Sequence, residues 1–228
     1  MAAIDDVTRS WLESQLETLE ALLEADVAFF YGAINSSYDA KFVDFIERLA
    51  TDTHHSRLAM LVNTPGGSAE TVEKMVRVMR HHYGEVFFIV PDFAMSAGTI
   101  LCMSGDRIYM DYTSSLGPID PQVWNGQEWV PALGYLDRVE ELVEKSRRNE
   151  LTEAEFLLLQ GLDLATLSRY EQQRQLTVTL LKEWLCKYKF KDWLVHGTDP
   201  AKVGNPVTDE ERRRRAEDVA VLLGDNKL

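Results

Sequence analysis

Two short segments of the chain combine glycine, small residues and a hydroxyl group. The first is Asn63-Thr64-Pro65-Gly66-Gly67-Ser68. Paired glycines let the backbone approach a ligand closely and leave amide N–H groups available to it. Ser68 is placed to cap a helix, and a helix N-terminus favours negative charge. Such a turn can hold a developing oxyanion, although a plain strand-to-helix turn has the same composition. The second segment is Ala94-Met95-Ser96-Ala97-Gly98-Thr99. A serine among small residues at the start of a helix presents its hydroxyl without crowding, and the next amide, that of Ala97, can stabilise charge beside it. Tight helix packing behind a capping serine would look similar.

The elements that must position these segments alternate in type. Apolar runs at Val27–Tyr31, Leu58–Val62, Val86–Val90 and Ile108–Met110 read as strands. Helical spacing joins Trp11, Leu12, Leu16, Leu19, Leu22 and Leu23, then Tyr38, Phe42, Phe45, Ile46 and Leu49, then Val72, Met75, Val76 and Met79. Ser96 to Ser104 reads as a short helix. This alternation indicates βαβ units and a buried, mostly parallel sheet. Each segment follows a strand, and ligands bind at the carboxyl ends of parallel strands. Gly67 and Ser96 stand 29 positions apart, so one βαβ turn would bring them to the same sheet edge. After about residue 130 the pattern is helical throughout. The expected organisation is an α/β core over 1–130 and a helical part over 131–228.

Four stretches, Asn63 to Ser68, Met95 to Thr99, Gly105 to Met110 and Ser115 to Gln122, together resemble the ClpP/crotonase superfamily. The chain is most similar there to the serine dehydrogenase proteinase family, near signal peptide peptidase A, and the motif match spans residues 57 to 123. The resemblance implies a ClpP/crotonase-type spiral α/β fold and a serine peptidase acting on peptide or unfolded protein. It implies Ser96 as nucleophile, the Gly67 and Ala97 amides as oxyanion donors, and Gly66 and Asp120 bordering the substrate cleft. It also implies a homo-oligomer and no metal or organic cofactor.

A serine hydroxyl needs a base. ClpP carries a histidine just after the fourth strand, but Ser114-Ser115-Leu116-Gly117-Pro118 contains none. His54, His55, His81, His82 and His196 lie elsewhere and read as surface or core residues. Signal peptide peptidase A uses a lysine, and Ser–Lys pairs are recognised variants of the triad. Lys145, 49 residues after Ser96, is the candidate here, with Lys182 as second choice. Burial would lower a lysine pKa toward neutrality. A solvated lysine beside Arg147 and Arg148 is the plainer reading of the same residue.

Three other readings fit parts of the pattern. An α/β-hydrolase would order Ser96, Asp163 and His196 correctly, but position 94 is alanine where that elbow has glycine. An acyl-CoA enzyme of the crotonase branch would need a glutamate near the oxyanion site, and none occurs between Glu85 and Glu128. A non-catalytic scaffold would keep the fold without the chemistry.

Composition narrows the partners. A net charge of −13 over 228 residues repels phosphate backbones, which argues against nucleic acid. Arg212 to Arg215 lie among five carboxylates and read as a solvated helix face. Two cysteines give no disulfide framework or metal-site spacing. No apolar run approaches the ~20 residues of a membrane span. The N-terminus lacks the basic start and apolar core of a signal peptide, so a cytoplasmic location is expected.

Overall fold

A computed structural model describes residues 2–52, 55–119, 122–124 and 129–224. The chain divides into two compact units, Met1–Gly117 and Pro118–Leu228.

The first unit is built on strands β1 (Asp26–Tyr31), β2 (Arg57–Asn63), β3 (Glu85–Val90) and β5 (Arg107–Met110), all parallel and in spatial order β1-β2-β3-β5. β2 is interior, and Leu58 to Val62 are buried on both of its faces. Such a strand must read as a continuous apolar run, as this one does. Helices α1 (Ala2–Leu23), α2 (Asp39–Asp52), α3 (Ala69–His82) and the one-turn-plus α4 (Ala97–Met103) occupy the connections. Leu16, Leu19 and Leu23 of α1 pack on Val27, Ala59, Leu61 and Phe87. Trp11, Leu12 and Leu22, assigned to that same face from their spacing, are exposed instead. Ile46 of α2 and Val72, Met75, Val76 and Met79 of α3 are buried, as their periodicity requires.

Two strands of two residues each escape any periodicity argument. β4 (Phe93–Ala94) pairs in parallel with β6 (Ser115–Leu116), and Ala94 also bridges to Thr64. They form a small ladder beyond the carboxyl ends of β2 and β3, where both glycine- and serine-containing segments lie.

A buried ion pair ties the far end of this unit together. Arg80 near the end of α3 meets Asp106 at 2.7 Å, with side chains 9% and 4% exposed. Arg80 also donates to the Ser104 carbonyl at 2.6 Å, and the Asp106 carboxylate accepts from the Val86 amide at 2.8 Å. One carboxylate thus joins α3, β3 and the turn before β5.

The second unit holds a two-stranded antiparallel ladder, β7 (Gln122–Trp124) with β8 (Trp129–Pro131), followed by α5 (Ala132–Arg147), α6 (Glu153–Gln160), α7 (Leu164–Trp184) and α8 (Asp209–Gly224). Tyr135 of α5 meets Tyr170 of α7 edge-on at 5.4 Å, with Leu136 and Leu167 beside them. Leu181 and Trp184 of α7 and Ala216 and Ala220 of α8 are buried where those two helices pack.

Removing one partner of a buried pair strands the other charge, at a cost of about 3–5 kcal/mol. Asp106→Ala is therefore expected to lower the unfolding free energy by about 3 kcal/mol in urea titration. Arg48→Ala, which breaks an exposed pair with Asp44, should cost no more than about 1 kcal/mol. Equal effects of the two would contradict the structural weight given to Asp106.

Candidate active site

The turn after β2 is held from both sides. Thr64 is fully buried; its amide donates to the Phe93 carbonyl at 3.1 Å, and its carbonyl accepts from the Met95 amide at 3.0 Å. Its hydroxyl accepts from the Gly66 amide at 3.1 Å. On the other side, the Ile34 amide donates to the Gly66 carbonyl at 2.8 Å, and the Ser68 amide donates to the Ile34 carbonyl at 2.9 Å. Gly66 and Gly67 take φ of +100° and +150°. A Cβ on Gly66 would lie 2.6 Å from the Met95 carbonyl oxygen and 2.9 Å from the Ser96 Cβ. One on Gly67 would lie 1.9 Å from the Ile34 carbonyl oxygen. Both glycines are thus required by sterics as well as by dihedral.

In a parallel bridge one residue makes both hydrogen bonds, and its partner's own N–H and C=O point the other way. Ile34 is the bonding residue in the bridge to Gly67. The Gly67 amide therefore faces away from Ile34. It donates to no other described residue, and neither does the Ala97 amide.

The second segment is a sharp turn from β4 into α4. Ser96 occupies its apex at φ +50°, ψ −114°. A non-glycine residue in that region carries strain of about 1–3 kcal/mol, and surrounding structure must hold it there. The holding contacts are evident. The Gly98 amide donates to the Met95 carbonyl at 2.8 Å, and the Ile100 amide donates to the Ser96 carbonyl at 3.2 Å. The Thr99 hydroxyl lies 2.9 Å from the Ala94 carbonyl and 2.8 Å from that of Gly117, which binds it to both strands of the small ladder. Gly98 admits the Thr64 methyl, which would stand 2.4 Å from a Cβ there.

The two serines now separate by role. Ser68 accepts from the Thr71 amide at 3.1 Å and caps α3. Ser96 makes no capping bond to α4 and is only partly buried, while Ala94 and residues 97–102 around it are buried. Of the residues singled out from sequence, Gly66, Gly67, Ser96 and Ala97 come together in the first unit. Asp120 lies outside the described residues, as does His54.

The family model for ClpP-like SDH-type serine proteinases matches residues 41–211, three quarters of the chain. The chain belongs to that family. Two relatives from Methanocaldococcus jannaschii are similar to this chain. Uncharacterized protein MJ0137 is 36% identical over 74 residues, 32% of this chain and 25% of the relative. Uncharacterized protein MJ1495 is 29% identical over 113 residues, 50% of this chain and 35% of the relative. The chain spans only about a quarter to a third of the length of these relatives. Among solved structures, a lysine-to-alanine mutant of the 1510-N membrane-bound stomatin-specific protease, in complex with a substrate peptide, is 24% identical with a TM-score of 0.41. The match covers 54% of this chain and 61% of that one. The ClpP protease catalytic domain from Plasmodium falciparum is 16% identical with a TM-score of 0.32, over 35% and 43% of the two chains.

The candidate bases lie in the second unit, and both lysines are ion-paired. Lys145 Nζ lies 2.8 Å from Glu155 Oε1 and 3.5 Å from Glu141 Oε1. The Glu155 hydrogen bond, with the charges of Glu155 and Glu141, raises its pKa above the ordinary lysine value and outweighs desolvation. Lys182 pairs with Glu217 at 2.5 Å. His196 is buried, with Nε2 3.3 Å from Glu211 Oε1, and Trp193 stands edge-on to its ring. Among the described residues there is no cluster of His, Cys, Asp and Glu that could hold a metal ion, and no helix long and apolar enough to cross a membrane.

The importance of Thr64, Thr99 and Ile34 was not apparent from the motifs, and β4 is too short to leave a pattern. Gly66→Ala is expected to displace the Ser96 turn and to cut labelling of Ser96 by a fluorophosphonate at least tenfold, with stability lower by about 1–3 kcal/mol. Gly134→Ala, in α5 with open space around its Cα, should leave labelling unchanged and stabilise the helix by up to about 1 kcal/mol. Unaltered labelling of the Gly66 variant would detach that glycine from the site.

Proposed function

We propose that the chain is a serine endopeptidase in which Ser96 attacks a peptide carbonyl. The observation that carries this is the strained Ser96 turn packed against Gly66, beside the Gly67 and Ala97 amides, which donate to no other described residue. Strain of this kind persists where the surroundings over-determine it, and it is concentrated at reactive groups.

In this reading the Ser96 hydroxyl adds to the carbonyl while Lys145 takes its proton. The carbonyl π pair moves onto oxygen, and the Gly67 and Ala97 amides stabilise that charge. Each such donor contributes on the order of 3 kcal/mol in comparable sites. Lys145 then returns the proton to the leaving amine, and water repeats the sequence on the acyl-enzyme. Gly66 and Asp120 border the cleft that holds an extended peptide. The substrate is peptide or unfolded protein, the working form is a homo-oligomer in the cytoplasm, and no metal or cofactor is required.

One observation favours a second reading. Lys145 and Lys182 are both engaged by carboxylates, which suits a scaffold that has lost its base. Cleavage of casein by the wild type, Ser96→Ala and Lys145→Ala proteins distinguishes the readings. The peptidase predicts cleavage by the wild type and a loss of at least about 10³-fold in either variant, with far-UV CD and assembly unchanged. Loss with Ser96→Ala alone moves the base elsewhere. A wild type that cleaves nothing refutes the peptidase for this chain and supports the scaffold.

A further inference from the structure

The second unit contains a charged clasp around Lys145 whose carboxylates the proposed chemistry does not use. α5 places Arg138, Glu141 and Lys145 along one stripe, at the i, i+3 and i+7 spacing of neighbouring turns. α6 begins with a capping box. The Glu155 amide donates to the Thr152 hydroxyl oxygen at 3.2 Å, and Glu155 Oε2 accepts from the Thr152 amide at 3.0 Å and hydroxyl at 2.9 Å. The carboxylate is thereby divided. Oε2 serves the cap, and Oε1 takes Lys145 at 2.8 Å, with Arg138 at 3.7 Å. Glu141 stands 3.5 Å from Lys145 and accepts from Arg138 at 2.5 Å. The Glu155 side chain is 14% exposed and that of Lys145 is 35% exposed. Glu155 is therefore the fixed half of the pair, anchored by its own helix, and Lys145 is the half that can leave.

We propose that Glu155 is an autoinhibitory holding residue: its carboxylate clasps the Lys145 ammonium and keeps that lysine out of service as the proton acceptor for Ser96. The inference rests on the reading of Lys145 as base.

The physical case is a matter of sign. A base must be neutral when the hydroxyl approaches. The groups facing Lys145 are Glu155 from α6 and Glu141 from α5, with Arg138 of α5 bridging the two carboxylates, and both carboxylates favour the charged amine. Glu155 itself is lowered to about 2, first by its hydrogen bond from Lys145 and then by those from Thr152. On the acid side the clasp is intact above the ordinary carboxylate pKa and loosens only as pH falls toward 2, and on the alkaline side it is lost only as Lys145 deprotonates above its raised pKa. It therefore cannot be released by mild acid. Release requires that Lys145 be drawn off by a competing partner, such as bound substrate or a neighbouring subunit.

Glu155→Gln is the decisive variant. Glutamine still supports a capping box, so α6 keeps its start while the clasp loses its charge. Two readouts apply to the full-length protein. The first is competitive acetylation with acetic anhydride across pH, read at Lys145 by mass spectrometry, which reports the neutral amine without catalysis. The second is the acid limb of kcat/KM for casein. In the variant, Lys145 should acetylate faster, and the acid limb should move to lower pH. The gain is about threefold in activity on that limb for each half unit of movement.

Unchanged acetylation of Lys145 overturns the clasp. Faster acetylation with an unmoved acid limb overturns its role as a brake, provided that Lys145→Ala is inactive. Full activity in Lys145→Ala instead overturns the reading on which the brake depends. If Glu155→Gln unfolds α6, Glu141→Gln removes the second carboxylate without touching the cap, and the same two shifts are expected at smaller size.

Discussion

Everything around Ser96 depends on how closely the Gly66–Gly67 backbone can be approached. On one side it is paired with Ile34, and on the other it sits against Met95 and Ser96. No side chain fits in either gap. The sheet brings the three segments to one edge, because β1, β2 and β3 are parallel and in that order. The glycines then let the segments close to contact distance. Ser96 keeps an unfavourable dihedral because its neighbours are fixed before it is: Thr64 binds Phe93 and Met95, and Thr99 reaches Ala94 and Gly117. The strain at Ser96 and the rigidity of the glycine turn are two sides of one packing arrangement.

Much of this was legible from residue types. The four strands of the main sheet are apolar runs of the right length, and the face of α3 falls where its spacing puts it, whereas on α2 only Ile46 of the expected face is buried, Phe45 is exposed, and Tyr38 is exposed in the short turn before the helix. The glycine turn and the Ser96 segment announced themselves because only glycine and small residues tolerate such contact. What stayed hidden is made of long-range backbone pairing. β4 and β6 are two residues each, and no periodicity can be read from two residues. The left-handed dihedral of Ser96 has no signature in a serine codon or its neighbours. α1 misleads for a different reason: apolar spacing marks a face, but only Leu16, Leu19 and Leu23 of that face meet the sheet. The standing of Lys145 was only half legible: Glu141 stands one turn earlier on the same helix, but Glu155, the residue that does most to set its charge, lies on the next helix.

The second unit uses one device twice. Thr152 and Glu155 begin α6, and Thr208 and Glu211 begin α8; in each pair the glutamate accepts from the threonine amide and hydroxyl. Each glutamate then spends its other oxygen on a lysine, Lys145 or Lys202. Both carboxylates are lowered to about 2, and in each the lysine hydrogen bond is the largest cause. A helix cap fixes a carboxylate, and a fixed carboxylate holds a cation better than a mobile one, because less side-chain freedom is lost on pairing.

The serine turn is assembled from Ile34, Thr64 to Gly67, Phe93 to Thr99 and Gly117, a span that runs from residue 34 to the end of the first unit. The contacts that close it are long-range: Ile34 with Gly66 and Ser68, Thr64 with Phe93 and Met95, and Thr99 with Gly117. Contacts so far apart along the chain form late, after the loops between them have closed. During synthesis on the ribosome, Ser96 therefore emerges well before the residues that hold it in place. Until Gly117 has cleared the exit tunnel, the growing chain lacks the contact that ties the Ser96 helix to the small ladder, and the serine can take an ordinary dihedral.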